Sequence, residues 1–121
     1  MAEETFVTNR LKSVRYALRG AWLLLRSESS IQIQAVIAAV VTLAGFYFDI
    51  SSMEWIAQLL AIGLVMGVEG VNTAIEKLSD YVQPNHDLRI GRLKDISAGA
   101  VMIASLLASI VGLIIYIPKI F

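Results

Sequence analysis

Glu69, Asn72 and Glu76 stand at the end of a run that is otherwise apolar enough to cross a membrane. Charged side chains at that depth cost from a few kcal/mol upward, so they mark working sites. Their spacing of three and then four puts all three on one face of a helix, and Asp80 extends the same stripe. Glu28 just precedes the first apolar run, and Lys94 and Asp95 just precede the third. Carboxylates gathered at one depth can hold a hard divalent cation such as Mg²⁺, which takes oxygen ligands and often bridges to phosphates. A lysine beside them can bind phosphate as a point charge.

Such a set suits phosphoryl transfer, where catalysis is mainly positioning and charge stabilisation. Glu28 and Glu76 could supply a metal clamp, Lys94 the cation for the phosphates, and Glu69 the carboxylate that takes a proton from an acceptor hydroxyl. The residues alone leave other readings open. A membrane carboxylate also serves proton or cation transport in a small oligomer, and a non-catalytic anchor is a third possibility. Acidic groups clustered on one side, with no matching polar path in the other half of the spans, argue against transport. No G-x-x-x-x-G-K-[ST] nucleotide loop is present, and Gly91-Arg92-Leu93-Lys94 does not replace it. Individual residues have ordinary uses as well. Glu28 could pair with Arg26 or a base on a neighbouring helix, Lys94 could anchor a span by snorkelling, and Asp95 could cap the helix that follows it.

The elements that must position these groups are helices. The chain has 121 residues, enough for one domain, read here as a single membrane domain over 1–121. Hydrophobic residues make up 57% of it and the mean hydropathy is +0.70, above the apolar share of ordinary soluble domains. Three stretches are long enough to span a bilayer core of about 30 Å: about 31–48, 55–75 and 96–117. The third is rich in small residues, from Ala98 and Gly99 to Ser109 and Gly112, which permits close helix approach in lipid. Trp55 and Tyr116 read as interface anchors, with Pro118 just beyond the last span. If Trp55 marks one boundary, Glu69 lies about 21 Å further along, inside the opposite third of the core.

Residues 6–26 form a different kind of helix. Val7, Leu11, Val14, Leu18, Ala21 and Leu25 fall on one stripe, and Lys12, Arg15, Arg19 and Arg26 cluster on another face. That is the pattern of an amphipathic helix lying in the headgroup region, with Trp22 suited to the same layer. Basic residues also set the orientation. Arg10, Lys12, Arg15, Arg19 and Arg26 precede the first span, and Lys77, Arg89, Arg92 and Lys94 lie between the second and third. The loop 49–54 has none and Lys119 stands alone at the far end, which places the N-terminus and the site in the cytoplasm. The start, Met1-Ala2-Glu3-Glu4, is acidic rather than the basic opening of a cleaved signal, so the chain reads as uncut. Ten basic and ten acidic residues cancel, so total charge points to no partner, and no nucleic-acid partner is expected. Cysteine is absent, which excludes disulfides and thiolate chemistry. The one clear polar turn is Gln83-Pro84-Asn85-His86-Asp87.

At these residues the chain resembles the small prokaryotic integral-membrane diacylglycerol kinases, a family that includes the undecaprenol kinases. Val68-Glu69-Gly70-Val71-Asn72-Thr73-Ala74-Ile75-Glu76 is similar to the family's E-x-x-N-[ST]-A-I-E stretch, and Lys94-Asp95-Ile96-Ser97-Ala98-Gly99-Ala100-Val101 stands in the expected place. Tyr16-Ala17 with Gly20, followed by Glu28, resembles the N-terminal pattern. The resemblance implies an all-α multi-pass protein of the bacterial cytoplasmic membrane, a surface helix plus three spans, assembled as a homotrimer with active sites shared between neighbours. It implies transfer of the γ-phosphate of MgATP to the hydroxyl of diacylglycerol, or of undecaprenol by the same mechanism. On that analogy Glu69 is the general base and Glu28 and Glu76 hold Mg²⁺. Asn72 and Lys94 lie near the nucleotide phosphates, and Asp80, Asp95 and Tyr16 assist nucleotide binding. The chain departs from the pattern at Gln34, where many relatives carry histidine or glutamate, at Ser29-Ser30, and at His86, one residue further from Lys94 than is typical.

Overall fold

The computed structural model describes residues 5–121; the acidic start, Met1-Ala2-Glu3-Glu4, lies outside the described residues. The described chain is all helical, in the order α1 (Phe6–Ser27), α2 (Ser29–Tyr47), α3 (Ser52–Val82) and α4 (Leu88–Ile120). The helices α2, α3 and α4 are each long and apolar enough to cross a membrane. At about 1.5 Å per residue α2 is about 28 Å long, α3 about 46 Å and α4 about 50 Å. A core of about 30 Å is therefore just matched by α2, whereas α3 and α4 run well past it.

Local chemistry explains each boundary. Thr5 caps α1 by accepting from the Thr8 amide at 3.2 Å. Glu28 is extended (φ −106°, ψ 116°), which breaks the chain between α1 and α2. A tight turn follows α2, in which Asp49 takes φ 50°, a left-handed conformation that aspartate tolerates better than most residues. Ser51 and Glu54 then form a reciprocal capping box that starts α3. The Gln83–Asp87 turn stops it, and Asp87 starts α4 by accepting from the amides of Arg89 at 2.8 Å and Ile90 at 3.4 Å.

One expectation, the capping role of Asp95, changes here. The expected third span begins at 96, but its helix begins at Leu88, so Asp87 is the cap and Asp95 lies within the helix, exposed. Nothing between residues 88 and 95 breaks a helix, and Asp87 is the acceptor that ends the polar turn. Pro118, just beyond the expected span, sits inside the last turn of α4. Tyr116 turns its hydroxyl into the bundle, 2.5 Å from Gln58 Oε1 and 3.0 Å from the Val41 carbonyl oxygen.

The core is thin. Ile31, Val65, Ala104 and Ile115 are buried, whereas Leu43, Leu60 and Ile114 are each close to 70% exposed. Apolar faces of that extent belong against lipid or another chain. Along α1, Leu11, Val14, Leu18 and Trp22 are more than half exposed, and the helix touches the bundle mainly near its end. At the end of the bundle away from α1, Trp55 packs on Gly45, where an added Cβ would stand only 2.7 Å from the indole ring. Nearby, Lys119 reaches Glu54 at 2.7 Å, pinning the end of α4 to the start of α3.

Candidate active site

The acidic stripe lies on one unbroken helix. α3 carries Glu69, Asn72, Glu76 and Asp80 in successive turns, so their spacing is rigid. Asn72 Nδ2 donates to Glu76 Oε1 at 3.3 Å, which joins the middle of the stripe. Glu69 Oε2 and Asn72 Oδ1 are buried acceptors with no hydrogen-bond partner among the described residues. A buried polar atom left without a partner costs about 1–3 kcal/mol, so both atoms are suited to a donor brought by a ligand.

Three contacts draw the other elements to this stripe. Lys94, near the start of α4, is ion-paired with Asp80. Lys77 Nζ lies 3.1 Å from Glu28 Oε1, which brings the break between α1 and α2 against the turn of α3 that also carries Glu76. Leu24, near the end of α1, lies over Gly70; a Cβ on that glycine would be 3.0 Å from Leu24 Cδ1. Residues from α1, α3 and α4, with Glu28 at the break before α2, therefore meet at one end of the bundle, around Glu69 to Asp80.

Other sequence-derived candidates are not joined to this group. Tyr16 is exposed on α1, with the Arg19 guanidinium 6.0 Å from its ring centre. Asp95 and His86 are exposed. Gln34 instead lines a cavity of about 240 Å³ between α2, α3 and α4, with Val41, Gln58, Ser105 and Tyr116.

Among the described residues no group of three or more His, Asp or Glu side chains is gathered to hold a metal. That matches how Mg²⁺ is usually bound at phosphoryl-transfer sites: one or two carboxylates and the substrate phosphates, with waters completing the shell. Glu28 and Glu76 supply hard oxygen donors of that kind. The described residues offer no closed cage for the ion, and an ion held there would need further ligands from a substrate and water.

Two features escaped the sequence reading. A base on a neighbouring helix is one of the two partners the sequence offers for Glu28, but the sequence does not single out Lys77 as that base. Gln58 was passed over inside an apolar run, yet it is 5% exposed and donates to the Val41 carbonyl at 3.1 Å. A lone glutamine in a span, three positions from a tryptophan boundary, was the available signal. The half of the bundle away from Glu69 is thus not devoid of polar groups, as expected, but those it holds satisfy one another.

Comparison with known proteins extends the likeness over most of the chain. The sequence signature of the family described as prokaryotic diacylglycerol kinase matches residues 15–116. The chain is 37% identical to the undecaprenol kinase of Bacillus subtilis (strain 168), covering 89% of this chain and 88% of that one. It is 28% identical to the diacylglycerol kinase of Escherichia coli (strain K12), covering 88% and 87%. With the diacylglycerol kinase of Haemophilus influenzae the identity is 26%, over 92% and 94%.

Proposed function

The chain belongs to the prokaryotic diacylglycerol kinase family, and from that premise we propose that it is a multi-pass membrane enzyme that transfers the γ-phosphate of ATP to the hydroxyl of a membrane lipid. The observation that carries this reading is the pair of buried, unpartnered acceptors, Glu69 Oε2 and Asn72 Oδ1, on the stripe that the family resemblance marks. A lipid hydroxyl, with its one proton to donate, meets the need of Glu69. It donates to Glu69, which takes the proton as the hydroxyl oxygen attacks phosphorus and ADP departs. Asn72 lies near the nucleotide phosphates, where its amide Nδ2 can donate to a phosphate oxygen. Lys94, steadied by Asp80, faces the phosphates, and Tyr16 and Asp95 assist at the nucleotide. Glu28 and Glu76 would hold Mg²⁺ together with ATP, and the ion when bound would supply neutralisation of the phosphate charge.

In this reading α1 lies along the membrane surface with its basic face toward headgroups, and the site opens to the cytoplasm at the inner membrane. A homotrimer with shared sites covers the apolar faces that one chain leaves exposed, and it is the arrangement in which Tyr16 and Asp95 could meet a neighbour's carboxylates. Diacylglycerol is the acceptor proposed first, giving phosphatidic acid. Undecaprenol stands beside it, because the 37% identical relative is an undecaprenol kinase.

The test is transfer of label from γ-labelled ATP by detergent-purified protein with Mg²⁺, offering diacylglycerol and undecaprenol in parallel micelles. Labelled lipid is the expected result, and the ratio of the two rates decides the acceptor. No labelled lipid from a correctly assembled protein would overturn the proposal and turn attention to proton and cation flux.

A further inference from the structure

We infer that Lys77 is a displaceable cation on the metal-binding carboxylate: its ammonium occupies Glu28 until a divalent cation takes its place, and it thereby sets the metal affinity of the site. The inference rests on the proposed role of Glu28 as a metal ligand. Lys77 Nζ lies 3.1 Å from Glu28 Oε1, and the two side chains are 69% and 22% exposed respectively. The carboxylate is thus sheltered while the base that neutralises it is mostly in solvent.

That asymmetry matters. An ammonium is a compact point charge on a flexible stem, and this one makes a single contact with one oxygen of Glu28. It can swing into water without disturbing a helix. A divalent cation and the ammonium are both drawn to the one Glu28 carboxylate and repel each other, so binding of one works against the other. Glu28 sits on the extended residue between α1 and α2, and Lys77 follows Glu76 directly on α3. The lysine therefore balances charge where two carboxylates must approach each other, and it returns to Glu28 when the cation leaves with the nucleotide.

A lysine that instead contacted the phosphates would act with the opposite sign, which makes the inference testable. Binding of Mn²⁺ with a non-hydrolysable ATP analogue is followed by electron paramagnetic resonance in wild type, Lys77→Gln, Lys77→Arg and Glu28→Gln. Lys77→Gln is expected to bind about two- to fivefold more tightly, the range that corresponds to losing a partly exposed ion pair. Lys77→Arg, which keeps the charge, should bind no more tightly than wild type, and Glu28→Gln should bind more weakly. If Glu28→Gln weakens binding while Lys77→Gln is unchanged or weaker, the displaceable-cation idea is wrong and Glu28 keeps its role. If Glu28→Gln binds like wild type, Glu28 is no metal ligand and the inference falls with that reading.

Discussion

Replacing Gly70 with alanine tests whether α1 lies where Leu24 puts it, next to Glu69. Two effects of similar size oppose each other. The new methyl would stand 3.0 Å from Leu24 Cδ1 and 3.9 Å from Cδ2, against the roughly 3.5–4.0 Å of a comfortable carbon contact. The obstacle is the tip of a flexible side chain, so Leu24 can turn away at the cost of a strained rotamer, about 0.5–1.5 kcal/mol. Alanine in the interior of a helix gains about 0.5–1 kcal/mol over glycine. In the wild-type background the two nearly cancel, and Gly70→Ala should change stability by less than about 0.5 kcal/mol. In a Leu24→Ala background only the helix gain survives, so the same substitution should stabilise by about 0.5–1 kcal/mol. Reversible unfolding in mixed micelles of the four proteins gives the coupling directly, expected near 1 kcal/mol. Equal effects of Gly70→Ala in both backgrounds would show that Leu24 does not rest on this turn.

Glu69→Gln should leave assembly and nucleotide binding intact while turnover falls by about 10²–10⁴-fold, and a variant with full activity would remove Glu69 as the base. Tyr116→Phe leaves Gln58 Oε1 buried without its hydroxyl donor and should destabilise by about 1–3 kcal/mol in the same unfolding measurement. Gln58→Leu should lose less, because the Tyr116 hydroxyl can still donate to the Val41 carbonyl; the reverse order would refute the assignment of donors. The Arg89 side chain, and then the Arg89 and Ile90 amides, hold the Asp87 carboxyl below its usual range. Because the folded value is depressed, the cap's contribution is complete above the ordinary aspartate range and is lost only as pH falls through the lower folded value. Amide exchange at Arg89 and Ile90, referenced to Asp87→Ala, should therefore show protection persisting below the ordinary range, and its loss at that range would contradict the capping role.

The helices were legible in the sequence because each is marked by a pattern with a single physical reading. Apolar runs of bilayer length give α2, α3 and α4, and the 3.6-residue stripe from Val7 to Leu25 gives α1. The acidic stripe was legible for the same reason, since its spacing is a property of one helix. What could not be read is what depends on two helices at once. In sequence Arg26 and a base on a neighbouring helix are equal partners for Glu28, and only the fold brings Lys77 to it. Hydropathy locates the part of a helix that sits in lipid and not where the helix begins, so α4 was started at 96 when its backbone turns helical at Leu88. Gln58 looked like a defect in an apolar run because its partners come from α2 and α4.

Polar contacts at both ends of the α3–α4 pair fix one quantity, the axial register of the two helices. Lys119 meets Glu54 and Tyr116 meets Gln58 at one end, while Lys94 meets Asp80 at the other. The rise from Glu54 to Asp80 is about 39 Å and that from Lys94 to Lys119 about 38 Å, so both ion pairs close together in a single antiparallel register. A slip of one turn, about 5.4 Å, would open both. On its α4 side the cavity between α2, α3 and α4 is lined by small residues, Ser105, Ala108 and Gly112, and in lipid hydrophobicity does not drive helices together. The polar pairs far from the acidic stripe therefore belong to the site's construction. They hold α4 at the height at which Lys94 stands beside Asp80, one helical turn beyond Glu76.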